Sequence, residues 1–295
     1  MSKKKILILG GNSGFIGRAL AKKLPWAAIN TGFDLTDNLQ TQKLLNSILP
    51  DTIYFLAAVQ NSDPDCFRKN VSMVENVLNN CKPGAKIVFA SSNTVYGNLS
   101  AKNQKPAVPL APKDYYYCSE SDPVNPTSPY GASKVACEAL INSFTNQKKI
   151  KSVILRFSAV VGPNQTHGAL KDIYRKFKND PKVEVFGASP GSVKNYLHVD
   201  DAVSALMYFG RHDYFNASTY NITSEGPVSI LDIVYQIART AGLDKTVTWN
   251  YKAASPTDNP LLLMNTEKLA GLSWGPSYSS GSIAITSVIQ DLEEL

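Results

Sequence analysis

The chain has 295 residues, 43% hydrophobic and 18% charged, which suits one large core or two lobes sharing one. Its net charge of +6 rests mainly on lysine, 24 of the 30 basic residues, and beyond Lys3 to Lys5 these form no cluster with interleaved aromatics, so small anionic ligands fit better than nucleic acid. No run approaches the ~18 apolar residues of a membrane span, no cleavable signal leads into the first strand, and Cys66, Cys81, Cys118 and Cys137 lack metal or disulfide spacing, so a cytoplasmic chain with free thiols, no metal and no membrane contact is expected.

The first pattern is Ile6-Leu7-Ile8-Leu9, apolar without alternation, which predicts a strand buried on both faces of a parallel sheet. It runs into Gly11-x-x-Gly14-x-x-Gly17 and then a helix predicted from about Gly14 to Leu24. Glycine permits the positive φ and close backbone approach of so tight a turn. The helix start aims free N–H groups and its positive dipole end at the loop. Strand, glycine loop and helix in that order predict a dinucleotide pyrophosphate site. A short second strand, Trp26 to Asn30, follows. An acidic residue closing it would accept the ribose hydroxyls of NAD and a basic one would favour the 2′-phosphate of NADP, so Asn30 leaves the choice open. Asp34 and Leu35 border the expected adenine side, and Asp37 is either a ligand there or the N-cap of the helix holding Leu44, Leu45 and Ile48.

Asp51 to Ala58 is the third strand, and its end at Leu56-Ala57-Ala58 would let a cofactor lie against the backbone. A helix from about Cys66 to Asn80 carries Asn70. Lys86 to Ser92 is the fourth strand, placing the Ser91 and Ser92 hydroxyls at its carboxyl end, the edge where open α/β sheets bind ligands. Asn98 to Asp122, rich in proline, is long for a loop and reads as a lid or an active-site wall. The stretch Pro126 to Lys134 then starts a helix that runs to about Asn146, with Val135, Ala139, Leu140 and Phe144 at helical spacing, before a strand from Ser152 to Phe157. This alternation predicts an α/β fold with a Rossmann-like, doubly wound parallel sheet. The remainder is less regular: helices near Gly168 to Asn179, from Asp200, from Ser229 to Ala241 and from Ser282, with strands Val183 to Phe186 and Tyr220 to Ile222. It predicts a smaller, discontinuous C-terminal lobe. The expected division is 1–165 for the dinucleotide-binding domain, with 195–222 returning to it, and 166–194 with 223–295 for the lobe.

Tyr130 and Lys134 stand at i and i+4, on one face of their helix. An ammonium beside a phenol favours the phenolate, bringing a tyrosine pKa down from about 10 so that it can exchange a proton with a substrate hydroxyl or carbonyl. A second such pair, Tyr174 and Lys178, reads as a solvated helix face. Small residues between Tyr130 and Lys134 and the serine strand end upstream distinguish the first pair, and Ser92 is placed to hydrogen-bond the reacting oxygen. The competing interpretation makes Ser91 and Ser92 strand-end caps and Tyr130 a packing residue.

Taken together, Gly11-x-x-Gly14-Phe15-Ile16-Gly17, Leu56-Ala57-Ala58, Asn70-Val71, Ser91-Ser92-Asn93-Thr94-Val95-Tyr96-Gly97, Pro129-Tyr130-Gly131-Ala132-Ser133-Lys134, Leu155-Arg156-Phe157 and His198-Val199-Asp200-Asp201 resemble the extended short-chain dehydrogenase/reductases of the NAD-dependent epimerase/dehydratase family. The motifs stand in family order over most of the chain. The resemblance implies a Rossmann domain binding NAD or NADP, a small C-terminal lobe gripping a nucleotide-activated sugar, and hydride transfer at a sugar carbon, often C4. It implies Tyr130 as acid/base, Lys134 tuning it and holding the nicotinamide ribose, Ser92 orienting the sugar oxygen beside Thr94, and Ser91 lining the nicotinamide pocket. Gly11, Gly14, Phe15, Ile16 and Gly17 would hold the pyrophosphate. It also implies a homodimer paired through the helix of Tyr130 and Lys134.

Departures from the family pattern narrow the reaction. Dehydratases of this family carry an Asp-Glu pair after the strand-end hydroxyl, whereas this chain has Asn93-Thr94, which argues against dehydration. Lys194 stands where many members place a diphosphate-binding arginine; it keeps the charge and loses the bidentate fork. No arginine follows Arg239. His167 and Lys171, at the start of a lobe helix, are further candidates for the substrate diphosphate. Asp200 is expected to be an N-cap. The expected activity is that of a nucleotide-sugar epimerase or ketosugar reductase; the alternative is a non-catalytic NAD(P)-binding sensor or scaffold of the same fold.

Overall fold

A computed structural model describes residues 4–60, 63–99, 115–165, 168–179, 182–186, 192–212, 214–240, 248–252 and 261–293. Apolar runs without alternation form the centre. Strands β1 (Ile6–Leu9), β2 (Ala28–Ile29), β3 (Thr52–Phe55), β4 (Lys86–Ser92) and β5 (Lys151–Phe157) alternate with helices α1 (Phe15–Lys23), α2 (Asn38–Ile48), α3 (Cys66–Asn80) and α4 (Pro129–Asn146). Further along are β6 (Ala159–Val161), α5 (Ala169–Asn179), β7 (Lys182–Phe186), β8 (Val193–Lys194), β9 (Tyr196–His198), α6 (Val199–Arg211) and β10 (Ser218–Ile222). The chain continues through β11 (Val228–Ser229), α7 (Ile230–Thr240), β12 (Thr248–Lys252), β13 (Leu261–Leu262) and α8 (Gly281–Glu293).

Six strands form one sheet in the order β10-β5-β4-β3-β1-β2, with every neighbouring pair parallel. The order reverses at β1, between β1 and β3, which makes this a doubly wound, Rossmann-like α/β sheet. Both faces are covered. Ile8, Val88, Val153 and Leu155 pack with Leu20 of α1 and Val203, Leu206 and Phe209 of α6, while Leu7, Leu9, Ile53, Phe55, Ile87 and Phe89 pack with α2, α3 and α4. Successive residues of a strand point to opposite faces, so a sheet coated on both sides needs the unbroken apolar runs seen in β1 and β3.

A separate cluster joins α5, α7 and α8 through Leu170, Tyr174, Ile233, Ile237, Ile285 and Ile289. Small strands attach it: β8 pairs antiparallel with β11 and parallel with β13, β6 pairs with β9, and β7 with β12. Tyr174 belongs to this core and donates its hydroxyl to the Leu292 carbonyl at 3.2 Å. It is therefore buried, not part of the solvated face that its spacing to Lys178 predicts. The two- and three-residue strands β6, β8, β9, β11 and β13 escaped the sequence pattern because so short a segment shows no periodicity.

The start of α6 also differs from expectation. Its N-cap is the buried His198, whose Nδ1 accepts the Asp200 N–H at 3.2 Å, so Asp200 is capped rather than capping. Asp201 is buried and accepts the N–H groups of Ser277 (2.8 Å) and Tyr278 (3.0 Å), and the Tyr278 ring stacks on the imidazole at 3.9 Å between centroids. Burial holds the His198 pKa below its ordinary 6.5 despite the neighbouring aspartates. The unfolded chain therefore takes up this proton first as the pH falls. Stability is at its plateau above 6.5 and declines as the pH drops from there towards the folded value. The melting temperature should fall between about pH 7 and about pH 5. In His198→Asn, which keeps a capping acceptor without the titration, the fall over that interval should be shallower; parallel curves would contradict the assignment.

Candidate active site

The glycine loop begins one residue earlier than its motif suggests. Gly10, at the end of β1, has φ +88°, and a Cβ there would stand 2.8 Å from the Ala57 nitrogen and 2.9 Å from the Leu56 carbonyl carbon. Gly11, Gly14 and Gly17 do not need the left-handed region; they are required by proximity. A Cβ on Gly14 would lie 2.7 Å from the Gly10 oxygen, and one on Gly17 only 2.1 Å from it. The loop thus folds back onto the first turn of α1, with Gly14 N–H bonded to the Gly10 carbonyl at 3.1 Å. Gly14 is the N-cap and has no side chain to close the helix, so Phe15, Ile16 and Gly17 start α1 without a side-chain cap. An uncapped helix start behind a glycine-rich turn fits an anionic group.

Around this loop the expected cofactor residues divide. Leu56, Ala57 and Ala58 run alongside it, with Leu56 N–H bonded to the Leu9 carbonyl at 2.9 Å. Asn30 closes β2 and its Oδ1 is buried with no hydrogen-bond partner among the described residues. Asp37 is the N-cap of α2, accepting the N–H groups of Leu39 and Gln40, and these bonds lower its pKa. Asp34 stays exposed, with one carboxylate oxygen taken by the Thr36 N–H and hydroxyl, both at 2.8 Å. Leu35 has its side chain in the core, and its carbonyl accepts from Thr41 and Asn76. Asn70 is likewise buried. Its amide bonds to both the N–H and the carbonyl of Val59, at 2.7 and 3.0 Å, and to the Ser133 hydroxyl at 2.9 Å. It ties the segment after β3 to α4.

The Tyr–Lys helix docks on the carboxyl end of β4. Ser128 caps α4 and Pro129 opens it. Gly131 lets the helix start lie on Thr94, whose carbonyl would be 2.8 Å from a Cβ at that position. Lys134 is buried and its Nζ donates to the Ala90 carbonyl at 2.8 Å, lying 5.5 Å from the centre of the Tyr130 ring and 4.8 Å from that of Phe89. Ser92 caps a short 3-10 turn, Asn93–Tyr96, accepting from the Thr94 N–H at 3.2 Å and the Thr94 hydroxyl at 3.0 Å. Its lone pairs are thereby used, and its own proton reaches only Asn93 Oδ1 at 3.4 Å. Ser92 is thus arranged to donate. Ser91 points the other way, donating to Glu138 Oε1 at 2.5 Å.

Glu138 is a residue that spacing analysis missed. It stands four residues beyond Lys134 on the same face of α4, buried, and receives Arg156 of β5 through a two-pronged ion pair at 3.1 and 2.7 Å. Arg156 also donates to Tyr96 Oη at 2.9 Å, and Tyr96 donates to Asn221 Oδ1 at 2.7 Å. Burial acts to lower the Arg156 pKa, but the bonds to Glu138 outweigh it and hold the guanidinium above its usual range; burial raises the Tyr96 phenol to about 12. An arginine inside an apolar strand was the available signal, since a buried charge demands a partner.

Of the expected substrate contacts, Lys171 donates to the Gln165 carbonyl at 2.8 Å and Lys194 lies half-buried in β8. His167 lies outside the described residues. Among the described residues no group of three or more His, Cys, Asp and Glu could hold a metal ion, and no helix is long and apolar enough to cross a membrane. All four cysteines are free thiols.

A doubly wound sheet with a glycine loop at its first strand defines a Rossmann-like nucleotide-binding fold. Residues 6–223 match the NAD dependent epimerase/dehydratase family, and the chain belongs to that family of enzymes. It is 28% identical to a dTDP-D-glucose 4,6-dehydratase of Dictyostelium discoideum over 79% of this chain and 61% of that one, less than two thirds of its length. It is 27% identical to dTDP-4-dehydro-6-deoxyglucose reductase of Escherichia coli over 93% of both chains. A UDP-glucose 4-epimerase from Thermus thermophilus, solved with NAD, superposes with a TM-score of 0.80 over 97% of each chain at 22% identity.

Gly17→Ala should abolish dinucleotide binding, because its Cβ cannot coexist with the Gly10 carbonyl. Gly271→Ala, whose Cβ meets nothing within 4 Å, is the control and should bind as wild type. Equal cofactor affinity in the two variants, measured by calorimetry, would show that the loop does not hold the dinucleotide.

Proposed function

We propose that this protein is an NAD(P)-dependent nucleotide-sugar epimerase or ketosugar reductase that transfers hydride at C4 of the sugar. The observation carrying this reading is the buried Lys134 ammonium, fixed to the Ala90 carbonyl and beside the Tyr130 ring, Ala90 standing two residues before Ser92 in β4. In the proposal Tyr130 passes a proton to or from the sugar oxygen, Lys134 supports the phenolate, and Ser92 donates its hydrogen bond to the same oxygen. The nicotinamide would supply or accept the hydride. Gly10, Gly11, Gly14, Phe15, Ile16 and Gly17 would hold its pyrophosphate, with Leu56, Ala57 and Ala58 beside it. The unpartnered Asn30 Oδ1 is an acceptor that a ribose hydroxyl would satisfy, which supports NAD over its 2′-phosphorylated form.

The residues following Ser92 support the choice of reaction. Asn93 and Thr94 carry no ionisable group, and the Thr94 hydroxyl is spent on Ser92, so neither offers the acid and base that removal of a C6 substituent requires. The cluster of α5, α7 and α8 is proposed as the substrate lobe, with Lys194 as its contact to the diphosphate and Lys171 and His167 as further contacts. The presence of both Tyr130 and Lys134 argues against a non-catalytic sensor.

Tyr130→Phe should lower turnover by ~10²-fold or more while cofactor binding persists; unchanged turnover would overturn the reading. Lys194→Ala should raise the KM for the nucleotide sugar and leave cofactor affinity unaltered. Dinucleotide released on denaturing the purified protein separates the two reactions. Retained NAD supports the epimerase, which keeps its cofactor through both half-reactions, whereas an empty protein that oxidises NADH or NADPH with a ketosugar nucleotide supports the reductase.

A further inference from the structure

We infer that Glu138 is a positioning residue for the catalytic set, acting through the Ser91 hydroxyl to fix the end of β4 against the helix that carries Tyr130 and Lys134. The inference rests on the function proposed above for its kinetic consequences and on geometry alone for the clamp itself.

Tyr130, Lys134 and Glu138 follow one another at intervals of four along α4, so all three face the sheet. Two of them grip consecutive residues of β4: Lys134 holds the Ala90 carbonyl and Glu138 holds the Ser91 hydroxyl. The next residue is Ser92. Its distance from Tyr130 is thus set by two short bonds between the same helix and the same strand end. The carboxylate cannot drift, because Arg156 engages both of its oxygens from β5, and β5 pairs with β4 at this level, Arg156 opposite Ser91. Arg156 is steadied in turn by Tyr96, at the end of the 3-10 turn that Ser92 caps. Ser92 is therefore tied to Glu138 by two routes, along the strand and around the turn. A buried carboxylate needs at most one cation for neutrality; its third bond, to Ser91, adds nothing to charge balance and falls on the residue next to the proposed donor.

A conserved-geometry test uses Ser91→Ala, which removes the bond and leaves the ion pair, and Glu138→Asp, which keeps the charge for Arg156 but draws the carboxylate back from Ser91. Each should lower kcat by about 10- to 100-fold, with KM and cofactor affinity little changed, and the double variant should be no worse than the poorer single one. Ser91→Thr restores the hydroxyl and should recover most of the rate. Amide exchange at Thr94, whose N–H bonds to Ser92, should quicken in Ser91→Ala while the centre of β4 exchanges as before. If Glu138→Asp fails to fold, the Ala and Thr variants at Ser91 decide alone. Weakened cofactor binding at full kcat would make Ser91 a direct cofactor contact and overturn the inference, as would unchanged Thr94 exchange, whatever the turnover. Quickened exchange in a protein whose wild type turns over no nucleotide sugar would sustain the clamp and refute the proposed function.

Discussion

The buried ion pair between Glu138 and Arg156 is the constraint on which the site depends. Taking two opposite charges out of water is costly, and the pair stabilises the fold little relative to apolar residues of the same size; removing one partner alone, by contrast, costs about 3–5 kcal/mol. The consequence is geometric. The guanidinium serves the two oxygens side-on through Nε and Nη2, a planar fork that holds α4 against β5 in a defined position. Apolar packing tolerates small slides of a helix over a sheet, and a forked ion pair does not. The charged residues of α4 and β5 thus convert a permissive contact into a defined one, next to Ser91, Ser92, Tyr130 and Lys134.

The other end of the sheet solves an opposite problem. At α1 the chain withholds what most helices receive. Helix α2 is closed by Asp37, whose carboxylate takes the N–H groups of Leu39 and Gln40. Helix α1 starts with Gly14, and its N-terminal donors are left for a ligand. A capping side chain here would also carry a Cβ into the Gly10 carbonyl. Close packing of the loop on the helix and the lack of a side-chain cap are therefore one feature: the glycines that allow the first produce the second.

The sheet was legible because burial on both faces leaves a signature that needs no context, as in Ile6 to Leu9 and Ile53 to Phe55. Long helices were equally plain: α3 spans Cys66–Asn80 as expected, and α4 starts inside the Pro126 to Lys134 stretch and ends at Asn146. What failed was local chemistry with two solutions. Asp37 has the same sequence signature as cap or ligand, and only the direction of the chain around it decides. His198 caps a helix although histidine is a poor predictor of caps, and Asp200, the expected cap, stands inside the first turn with its own N–H taken by the imidazole. Gly10 was overlooked beside Gly11 because a motif fixes spacing and not φ. Tyr174 was misjudged since a tyrosine with one polar atom reads alike on a surface and in a core where a distant carbonyl, that of Leu292, receives its hydroxyl. Among the site residues, Ser92, Tyr130 and Lys134 are brought to one strand end, while Leu35 and Asn70 turn out to be held by neighbouring protein groups.

Hydroxyl direction explains why two adjacent serines do different work. A free serine can donate and accept, so its role in a site is undefined. Here the surroundings remove the ambiguity in opposite senses. Ser91 gives its proton to a carboxylate and keeps lone pairs, while Ser92 receives two bonds from Thr94 and keeps its proton. In the proposed chemistry an oxygen gains negative character as hydride leaves or arrives, and the group stabilising it must donate without reorganising. Thr94 meets that need by occupying the acceptor positions of Ser92 in advance. An acidic side chain at residue 94 would have its own proton or charge to place and could not serve as this neutral donor. In the proposed chemistry, the residue that makes Ser92 a committed donor thereby takes the position that elimination would use, so the group holding the serine would distinguish the two reactions.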